Sequence, residues 1–490
     1  METLGYLLHG FGLALTPQNL LFALMGSVLG TLVGVLPGIG PTSGIAILLP
    51  LTSFLPPTPA IIMLAAIYYG AMYGGSTTAI LVNIPGEVAS VVTTLDGYQM
   101  ARQGRAGPAL AIAAISSFVA GTLGLLGLTF FAPPLADLAL SIGPPEYFGL
   151  VVLSFSVVVS LSGPSLVKGL SAAALGALVA LVGLDPMSGE RRFAFGTATL
   201  LGGIDFIAVI IGLFAITEVL LGVEARSGAV SLAPVDRLLP RLTELRACLG
   251  TMLRAMGVGF ALGLLPGCTP GAISFIAYDL ERRVSSTPEQ FGRGAIEGVA
   301  APEGANNATT SAGFVPLFAL GLPATPALAV LLSGLMIYGL QPGPLLFDKQ
   351  PQFVWTVIAS MYIGNVMLLV LNLPLVGLWA RLCRVPYAVM APLILIFSVL
   401  GAFSVRNNFA DVGMAIGFGV LGYLMVKLGY PTAPLVLALI LTPMLESALR
   451  QSLGMAHGSA LIFLSRPAAL ALIGAGVALT LWTLIARRRR

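Results

Sequence analysis

One short motif occurs twice in this chain, and the pair decides the fold that we expect. Residues 34–41 read GVLPGIGP and residues 263–270 read GLLPGCTP, so the Gly, Pro, Gly and Pro positions match at an offset of 229. The same offset aligns GSTTA (75–79) with GANNA (304–308). An apolar chain that is built twice, with helix-breaking residues at corresponding places, is typical of secondary transporters with a site near mid-membrane.

The composition indicates a protein that lives in lipid. Of the 490 residues, 57% are hydrophobic and only 9% are charged, whereas soluble domains carry about 25% charged residues. Because a helical span needs about 20 apolar residues, we expect an all-α polytopic membrane protein with about 12 spans. Some apolar segments are too short to span, and these fit re-entrant hairpins that line a cavity or are buried in protein.

The chain divides at a polar stretch near its middle. We predict a first membrane repeat, a cytoplasmic connector, a second membrane repeat, and a C-terminal span with a basic tail, at 18–222, 223–246, 247–446 and 447–490. Further matches at an offset of 238, such as Ile84-Pro85 with Leu322-Pro323, imply a nine-residue insertion in the second copy. Chance matching in a Gly-rich and Pro-rich chain is the alternative.

Basic residues suggest that the two copies have opposite orientations. In the first copy Arg102 and Arg105 follow the second motif, whereas in the second copy Arg282, Arg283 and Arg293 lie between the motifs. Because basic loops favour the cytoplasmic side, the copies would cross the membrane in opposite senses and form inverted-topology repeats. These loops therefore predict a protein with multiple membrane passes and its basic loops on the cytoplasmic side.

The Pro-Gly turns are candidates for ion binding. Proline removes a backbone donor and glycine permits unwound backbone, so carbonyl oxygens are free for a cation and helix N-termini favour anions. A packed helix kink is the alternative. With an intramembrane carboxylate added, our cation-binding candidates are Gly38, Gly40, Gly267, Thr269 and Glu303.

Small hydroxyl and amide side chains cluster in the second pair of motifs. They can recognise a carboxylate through hydrogen bonds without a buried arginine, whose desolvation is costly. Packing of small residues between helices is the alternative, but amides suit lipid-facing positions poorly. Our substrate-binding candidates are Ser76, Thr77, Thr78, Asn83, Asn306, Asn307, Thr309 and Thr310.

Other classes of function find little support in the sequence. Two histidines and three isolated cysteines do not indicate a transition-metal site or a disulfide framework, and no basic face with interleaved aromatics suggests nucleic acid. Hydrolase and nucleotide-binding motifs are missing. We therefore expect no enzyme activity and no cofactor, with Na⁺ or H⁺ as the coupling ion. A passive channel, a membrane enzyme for lipid-linked substrates and a membrane scaffold are the rival interpretations.

The motifs resemble one family, the large membrane subunit of the bacterial tripartite tricarboxylate transporters. The resemblance covers roughly 18–445 and rests on long runs such as YGAMYGGSTTAI (69–80), NIPGE (83–87) and FGRGAIEGVAAPE (291–303). A departure occurs at Pro323-Ala324, where Pro-Gly is expected from Pro85-Gly86.

This resemblance implies a three-part uptake system for di- or tricarboxylates, with this chain as a multi-pass subunit in the bacterial inner (cytoplasmic) membrane. A periplasmic solute-binding protein would deliver the carboxylate, a small four-span membrane subunit would accompany this chain, and an ion gradient would drive uptake. An elevator movement follows by analogy with other binding-protein-dependent carriers only. Membrane lipid is a further expected partner, and a homo-oligomer is left open.

Overall fold

The protein is built almost entirely of helices. A computed structural model describes residues 2–36, 39–52, 54–161, 165–185, 187–224, 238–382, 385 and 387–488. In this part of the chain ten helices are long and apolar enough to cross a membrane, and four shorter apolar helices accompany them. The expectation of an all-α polytopic membrane protein is confirmed; the number of about 12 spans stays a prediction.

The helices of the first half follow one another with short connections. Besides the helices there are a 3₁₀ turn, a π-helical segment that joins α10 to α11, and two paired strands. In order they are α1 (Glu2–Ala14), α2 (Pro17–Val35), α3 (Pro41–Thr52), α4 (Pro57–Val82), the 3₁₀ turn (Val88–Val91), α5 (Thr93–Arg102), α6 (Ala106–Ser141), α7 (Pro144–Leu161), α8 (Leu166–Ala180), β1 (Gly183–Leu184), β2 (Arg191–Arg192), α9 (Ala198–Leu201), α10 (Phe206–Ile210), the π segment (Ile211–Ile216) and α11 (Thr217–Glu224).

The second half is likewise helical, with a second 3₁₀ turn at Pro288–Gln290. Its helices are α12 (Leu242–Gly263), α13 (Pro270–Val284), α14 (Glu297–Ala312), α15 (Phe314–Leu320), α16 (Pro326–Ile337), α17 (Pro344–Lys349), α18 (Pro351–Asn372), α19 (Val376–Leu382), α20 (Tyr387–Arg406), α21 (Phe409–Lys427), α22 (Ala433–Met455), α23 (Ile462–Ser465) and α24 (Pro467–Arg488).

Helices of the two halves begin and end at corresponding positions. Helix α3 begins at Pro41 and α13 at Pro270, the offset of 229 that the motifs have. Helix α4 is capped by Asn83 and α15 by Gly321, both in the left-handed conformation, at the offset of 238. Proline is favoured in the first turn of a helix and Gly or Asn at a left-handed end, so local backbone chemistry places these ends.

The extra residues of the second copy are helical. Beyond the aligned Ala79 and Ala308, the first copy reaches its left-handed cap within a few residues. The second copy continues through the rest of α14 and through α15 before it reaches Gly321. The length difference therefore adds turns of helix rather than a loop.

The two motif-bearing helices form the centre of the molecule. Helix α4 is buried over its whole spanning window, and every residue of α14 from Gly298 to Ala312 is buried. Helix α2 packs along α4, and α12 and α6 pack along α14. Helices buried on all sides hold their polar side chains in the protein interior, away from lipid.

The basic loops of the two halves meet on one face of the protein. Gln103 Nε2 donates to the carbonyl oxygen of Arg293 at 2.8 Å, and Arg105 pairs with Glu244 at 2.5 Å. The loop after the second motif of the first copy thus lies beside the loop between the motifs of the second copy. An inverted arrangement of the repeats requires these two loops to lie on the same side of the membrane. The inverted topology stays a prediction.

Several boundaries differ from those expected. The connector predicted at 223–246 contains the start of α12, and its residues 225–237 lie outside the described part. Helix α22 continues to Met455, past the predicted limit of 446. Helix α1, which packs against α18, was not expected, because a 13-residue apolar stretch is too short to indicate a span.

A small β-hairpin follows α8. Strands β1 and β2 pair antiparallel, and an ion-pair network ties them to α22. Arg192 contacts both Asp185 and Glu446, at 2.5 and 2.7 Å. Arg450 contacts the same two carboxylates at 2.7 Å each.

A buried carboxylate holds the two halves together. Asp96 of α5 is fully buried, and its Oδ1 accepts hydrogen bonds from the backbone N–H groups of Gly294 and Ala295, both at 2.8 Å. Its Oδ2 accepts a third bond, from the Tyr278 hydroxyl, at 2.7 Å. Three donors satisfy the buried charge, so Asp96 is a structural residue of the interface between the halves.

Candidate functional site

The two halves share a buried polar cluster at the end of α4 and the middle of α14. Asn306 Nδ2 donates to Glu87 Oε1 at 3.2 Å. Glu87 precedes the 3₁₀ turn of the first half, is 7% exposed, and also accepts from the Ala89 N–H (2.8 Å) and the Ser90 hydroxyl (3.0 Å). Although Glu87 lies in the turn between α4 and the first 3₁₀ turn, its burial places it in the protein interior.

A second carboxylate lies one turn away on α14. Glu303 is 1% exposed, and its Oε1 accepts a short hydrogen bond from the Thr93 hydroxyl of the first half. Its other oxygen has no partner among the described residues. Glu303 was predicted as a cation-binding residue, and the structure brings it together with Asn306 and Glu87.

The neighbouring amide faces helix α6. Asn307 Nδ2 donates to the Ser117 hydroxyl at 2.8 Å and to the Glu303 carbonyl oxygen at 3.1 Å. Ser116, beside it, donates to the Ala300 carbonyl oxygen at 2.6 Å. The adjacent asparagines therefore point to different partners: Asn306 to the loop that carries Glu87 and Asn307 to α6.

The predicted hydroxyl donors are mostly bonded within their own helices. Ser76 and Thr78 donate to carbonyl oxygens three residues earlier, and Thr309 and Thr310 to carbonyl oxygens four residues earlier. Thr77 is buried. These contacts fit the alternative of close helix packing, and a bound carboxylate would have to compete with them.

Asn83 has a different environment from the other candidates. It is exposed and ends α4 in the left-handed conformation, which asparagine tolerates better than most residues. Its position explains its residue type without a ligand.

The Pro-Gly turns have less free backbone than the sequence suggested. Gly38 lies outside the described residues. The carbonyl oxygens of Gly40 and Thr269 accept the first hydrogen bonds of α3 and α13, from Gly44 (3.0 Å) and Ile273 (3.1 Å).

The second turn contacts the second Leu-Pro turn directly. Gly267 N–H donates to the Ala324 carbonyl oxygen at 2.9 Å. Gly267 has φ +91°, and a Cβ there would lie 2.6 Å from the Val158 backbone, so glycine is required for packing. Alanine is tolerated at position 324, where the first copy has Gly86, because residue 324 makes this contact through its backbone carbonyl oxygen.

Polar residues outside the predicted set complete the interior. The Tyr73 hydroxyl donates to Asn365 Oδ1 at 2.5 Å, and Asn365 Nδ2 donates to the Phe118 carbonyl oxygen and to Thr122 on α6. Asn372 on the same helix, α18, lies near Thr31. Amide side chains suit lipid-facing positions poorly. The same reasoning, applied to Asn365 and Asn372, would have predicted that both are buried in the protein.

A large cavity lies away from this cluster. It has a volume of about 1300 Å³ and is mostly apolar, with Asp205, Ser333, Gln341 and Gln451 among its lining residues. Gly321, the left-handed cap of α15, borders it, but none of the predicted site residues lines it. In the described part no three His, Cys, Asp or Glu side chains group closely enough to hold a metal ion.

Comparison with known proteins gives the family. The model of the tripartite tricarboxylate transporter TctA family matches residues 20–437. The chain belongs to this family. It is accordingly a transporter subunit with several membrane passes, and the resemblance in its motifs is confirmed.

Two similar proteins from Agrobacterium vitis are known by sequence. The one described as an uncharacterized 52.8 kDa protein in the TAR-I ttuC' 3' region is 45% identical over 479 residues, 98% of this chain and 95% of that protein. An uncharacterized protein in the TAR-II ttuC' 3' region is 42% identical over 227 residues, 46% of this chain and 94% of that protein. No solved structure matches the chain.

Proposed function

We propose that this TctA-family protein is the translocating subunit of an uptake system for di- or tricarboxylates, driven by a gradient of Na⁺ or H⁺. Polar residues from both halves meet in one cluster, where Asn306 donates to Glu87 across 219 residues of sequence. This contact is the observation that carries the proposal. A site built from both halves can change its exposure when one moves against the other.

The partners follow from the tripartite character of the family. A periplasmic solute-binding protein delivers the carboxylate to the outer face, and a small four-span membrane subunit accompanies this chain in the inner membrane. The system needs no cofactor.

Substrate recognition in this proposal uses amides and hydroxyls. Asn307 and Thr78 lie in the motif helices α14 and α4 and are both buried. A carboxylate that accepts hydrogen bonds from such groups needs no arginine in the site, and the cation brought by the gradient balances its charge.

Reconstituted uptake tests the proposal. The purified subunits in proteoliposomes, with the binding protein present, should accumulate radiolabelled citrate or succinate under an imposed Na⁺ or pH gradient. Thr78→Val and Asn307→Leu should each reduce uptake about tenfold, the effect of losing a buried hydrogen bond of about 1.4 kcal/mol. Thr94→Val, which removes a hydroxyl that donates to the Val91 carbonyl oxygen, is the matched control.

Two results would contradict the proposal. Uptake that needs neither a gradient nor the binding protein would identify a passive channel. Full uptake in both variants, at normal membrane abundance, would remove the assigned substrate site.

A further inference from the structure

Two buried oxygen atoms of the shared cluster have no hydrogen-bond donor among the described residues. They are Glu303 Oε2 and Asn306 Oδ1, and both side chains are 1% exposed. The two residues are three positions apart on α14, so their side chains are neighbours on one face of that helix. A buried oxygen of a carboxylate or amide without a donor is destabilising unless another positive partner binds it.

The oxygens around this pair also present lone pairs. The Ser90 hydroxyl donates its hydrogen to Glu87, and the Thr93 hydroxyl donates its hydrogen to Glu303 Oε1. A hydroxyl has one hydrogen and two lone pairs, so both hydroxyls can act only as acceptors toward anything else. The Asn306 amide keeps one further N–H beyond the bond to Glu87, but its oxygen and Glu303 Oε2 can only accept, so the cluster presents several acceptors around these two bare oxygens.

The charge of the cluster is also uncompensated. Glu87 and Glu303 are both buried, and their described hydrogen bonds and ion pairs include no Arg, Lys or His. Arg254, on the neighbouring helix α12, is already paired with Glu281 at 2.6 Å. Buried carboxylates at membrane depth either bind a positive partner or take up a proton.

We propose that Glu303 Oε2 and Asn306 Oδ1 bind a single Na⁺ ion, in an all-oxygen site that Glu87, Ser90 and Thr93 complete from the first half. Hard cations prefer oxygen ligands, and every group here offers oxygen.

The site favours a monovalent ion, because Glu303 Oε2 is the one carboxylate oxygen of the cluster without a hydrogen-bond partner among the described residues. Both oxygens of Glu87 already accept hydrogen bonds, so Glu303 offers the one such oxygen, whereas divalent ions such as Ca²⁺ are usually held by several carboxylate oxygens. A proton on Glu303 would engage one acceptor and leave the lone pairs of Ser90 and Thr93 unused. A sodium ion binds several oxygens at once, as hard cations do.

This inference rests on the proposed function, because that function gives the bound ion its role in driving uptake. It assigns Na⁺ as the coupling ion. It also moves the cation from the Pro-Gly turns to the contact between the halves. Because the ligands come from both halves, Na⁺ stabilises the arrangement in which they are together, and a movement that separates the halves releases it.

Melting of the purified full chain in detergent, with no substrate present, tests the site. The midpoint temperature should rise with NaCl at constant ionic strength, with choline chloride as the balancing salt, and should rise less with KCl, because an ion that binds the folded state stabilises it. Glu303→Gln and Asn306→Leu should each raise the Na⁺ concentration needed for half of the shift at least about tenfold. Glu297→Gln, on the first turn of α14, is the matched control and should respond like the wild type.

The outcomes separate this inference from the proposed function. A wild-type shift in NaCl no larger than in KCl, or a Na⁺-specific shift that survives in both variants, overturns the sodium site. Uptake driven by a pH gradient in the absence of Na⁺ overturns it as well, while the transport function stands. A Na⁺-specific shift in a chain that transports no carboxylate supports the site and contradicts the function.

Discussion

Gly86 lies against the backbone of Gly34, the first glycine of the repeated motif. A Cβ added at Gly86 would lie 1.8 Å from the Gly34 carbonyl oxygen and 2.8 Å from the Gly75 Cα. The turn after α4 therefore packs on α2 and α4 through bare backbone. This contact explains why position 86 is a glycine.

Gly86→Ala should prevent this packing. Neither contacting group is the end of a flexible side chain, so the turn would have to move away from α2. We expect a lower melting temperature in detergent and loss of uptake. Gly257→Ala, on α12, is the control, because a Cβ there meets nothing within 4 Å. Equal behaviour of the two variants would contradict the packing described here.

The side of the membrane on which the basic loops lie can be measured by labelling. Gln103→Cys and Ser286→Cys, each in a chain without its native cysteines, should react with a membrane-impermeant maleimide from the cytoplasmic side only. Both positions are exposed, and the loop of Gln103 contacts that of Arg293. Labelling of the two positions from opposite sides would exclude the inverted repeat.

Removal of the Asp96 carboxylate should destabilise the contact between the halves. Asp96→Ala leaves two backbone N–H groups and the Tyr278 hydroxyl without their acceptor. Since each buried donor without a partner costs about 1–3 kcal/mol, we expect a free energy of unfolding lower by about 3 kcal/mol or more. Calorimetry or denaturant unfolding in detergent measures the change.

A surface aspartate provides the comparison for this variant. Asp279 forms an exposed ion pair with Arg283, and such pairs contribute about 0–1 kcal/mol. Asp279→Ala should therefore melt close to the wild type. A similar loss in both variants would mean that Asp96 does not join the halves.

The hairpin network should make stability depend on acid pH. Hydrogen bonds from the Met187 N–H and the Ser188 hydroxyl, together with Arg450 and Arg192, hold the pKa of Asp185 well below its usual range. A carboxyl whose pKa is lower in the folded state stabilises the protein above its unfolded pKa, about 4, and this stabilisation is lost as the pH falls toward the folded value. Asp185→Asn should thus melt below the wild type at pH 6, and the difference should shrink below pH 4.

A melting series from neutral to acid pH checks this expectation. Asp279→Asn serves as the control with an exposed carboxyl. A gap between wild type and Asp185→Asn that stays constant down to the lowest pH would show that the charge of Asp185 does not stabilise the hairpin.

Local chemistry allowed much of the fold to be predicted from the sequence. Proline at the start of α3 and α13, and the left-handed residues Asn83 and Gly321, act within a turn or two of backbone. The hydrophobic composition and long apolar runs then leave only a helical membrane protein. These features need no knowledge of distant contacts.

The candidate site was predicted less completely because its contacts span the whole chain. The sequence singled out Asn306 and Glu303, but Thr93, the partner of Glu303, lies in an ordinary-looking stretch 210 residues away. It also could not show that Thr309 donates to a carbonyl oxygen of its own helix. Hydroxyl orientation is decided by packing, and composition does not reveal it.

The position of Asp96 has a consequence for synthesis of the chain at the ribosome. Its backbone partner at Ala295 is made 199 residues later, which at about 5–20 residues per second takes roughly 10–40 s. During that interval the first half sits in the bilayer with an unshared carboxylate, so a chaperone or the insertion machinery has a defined time window in which to protect it.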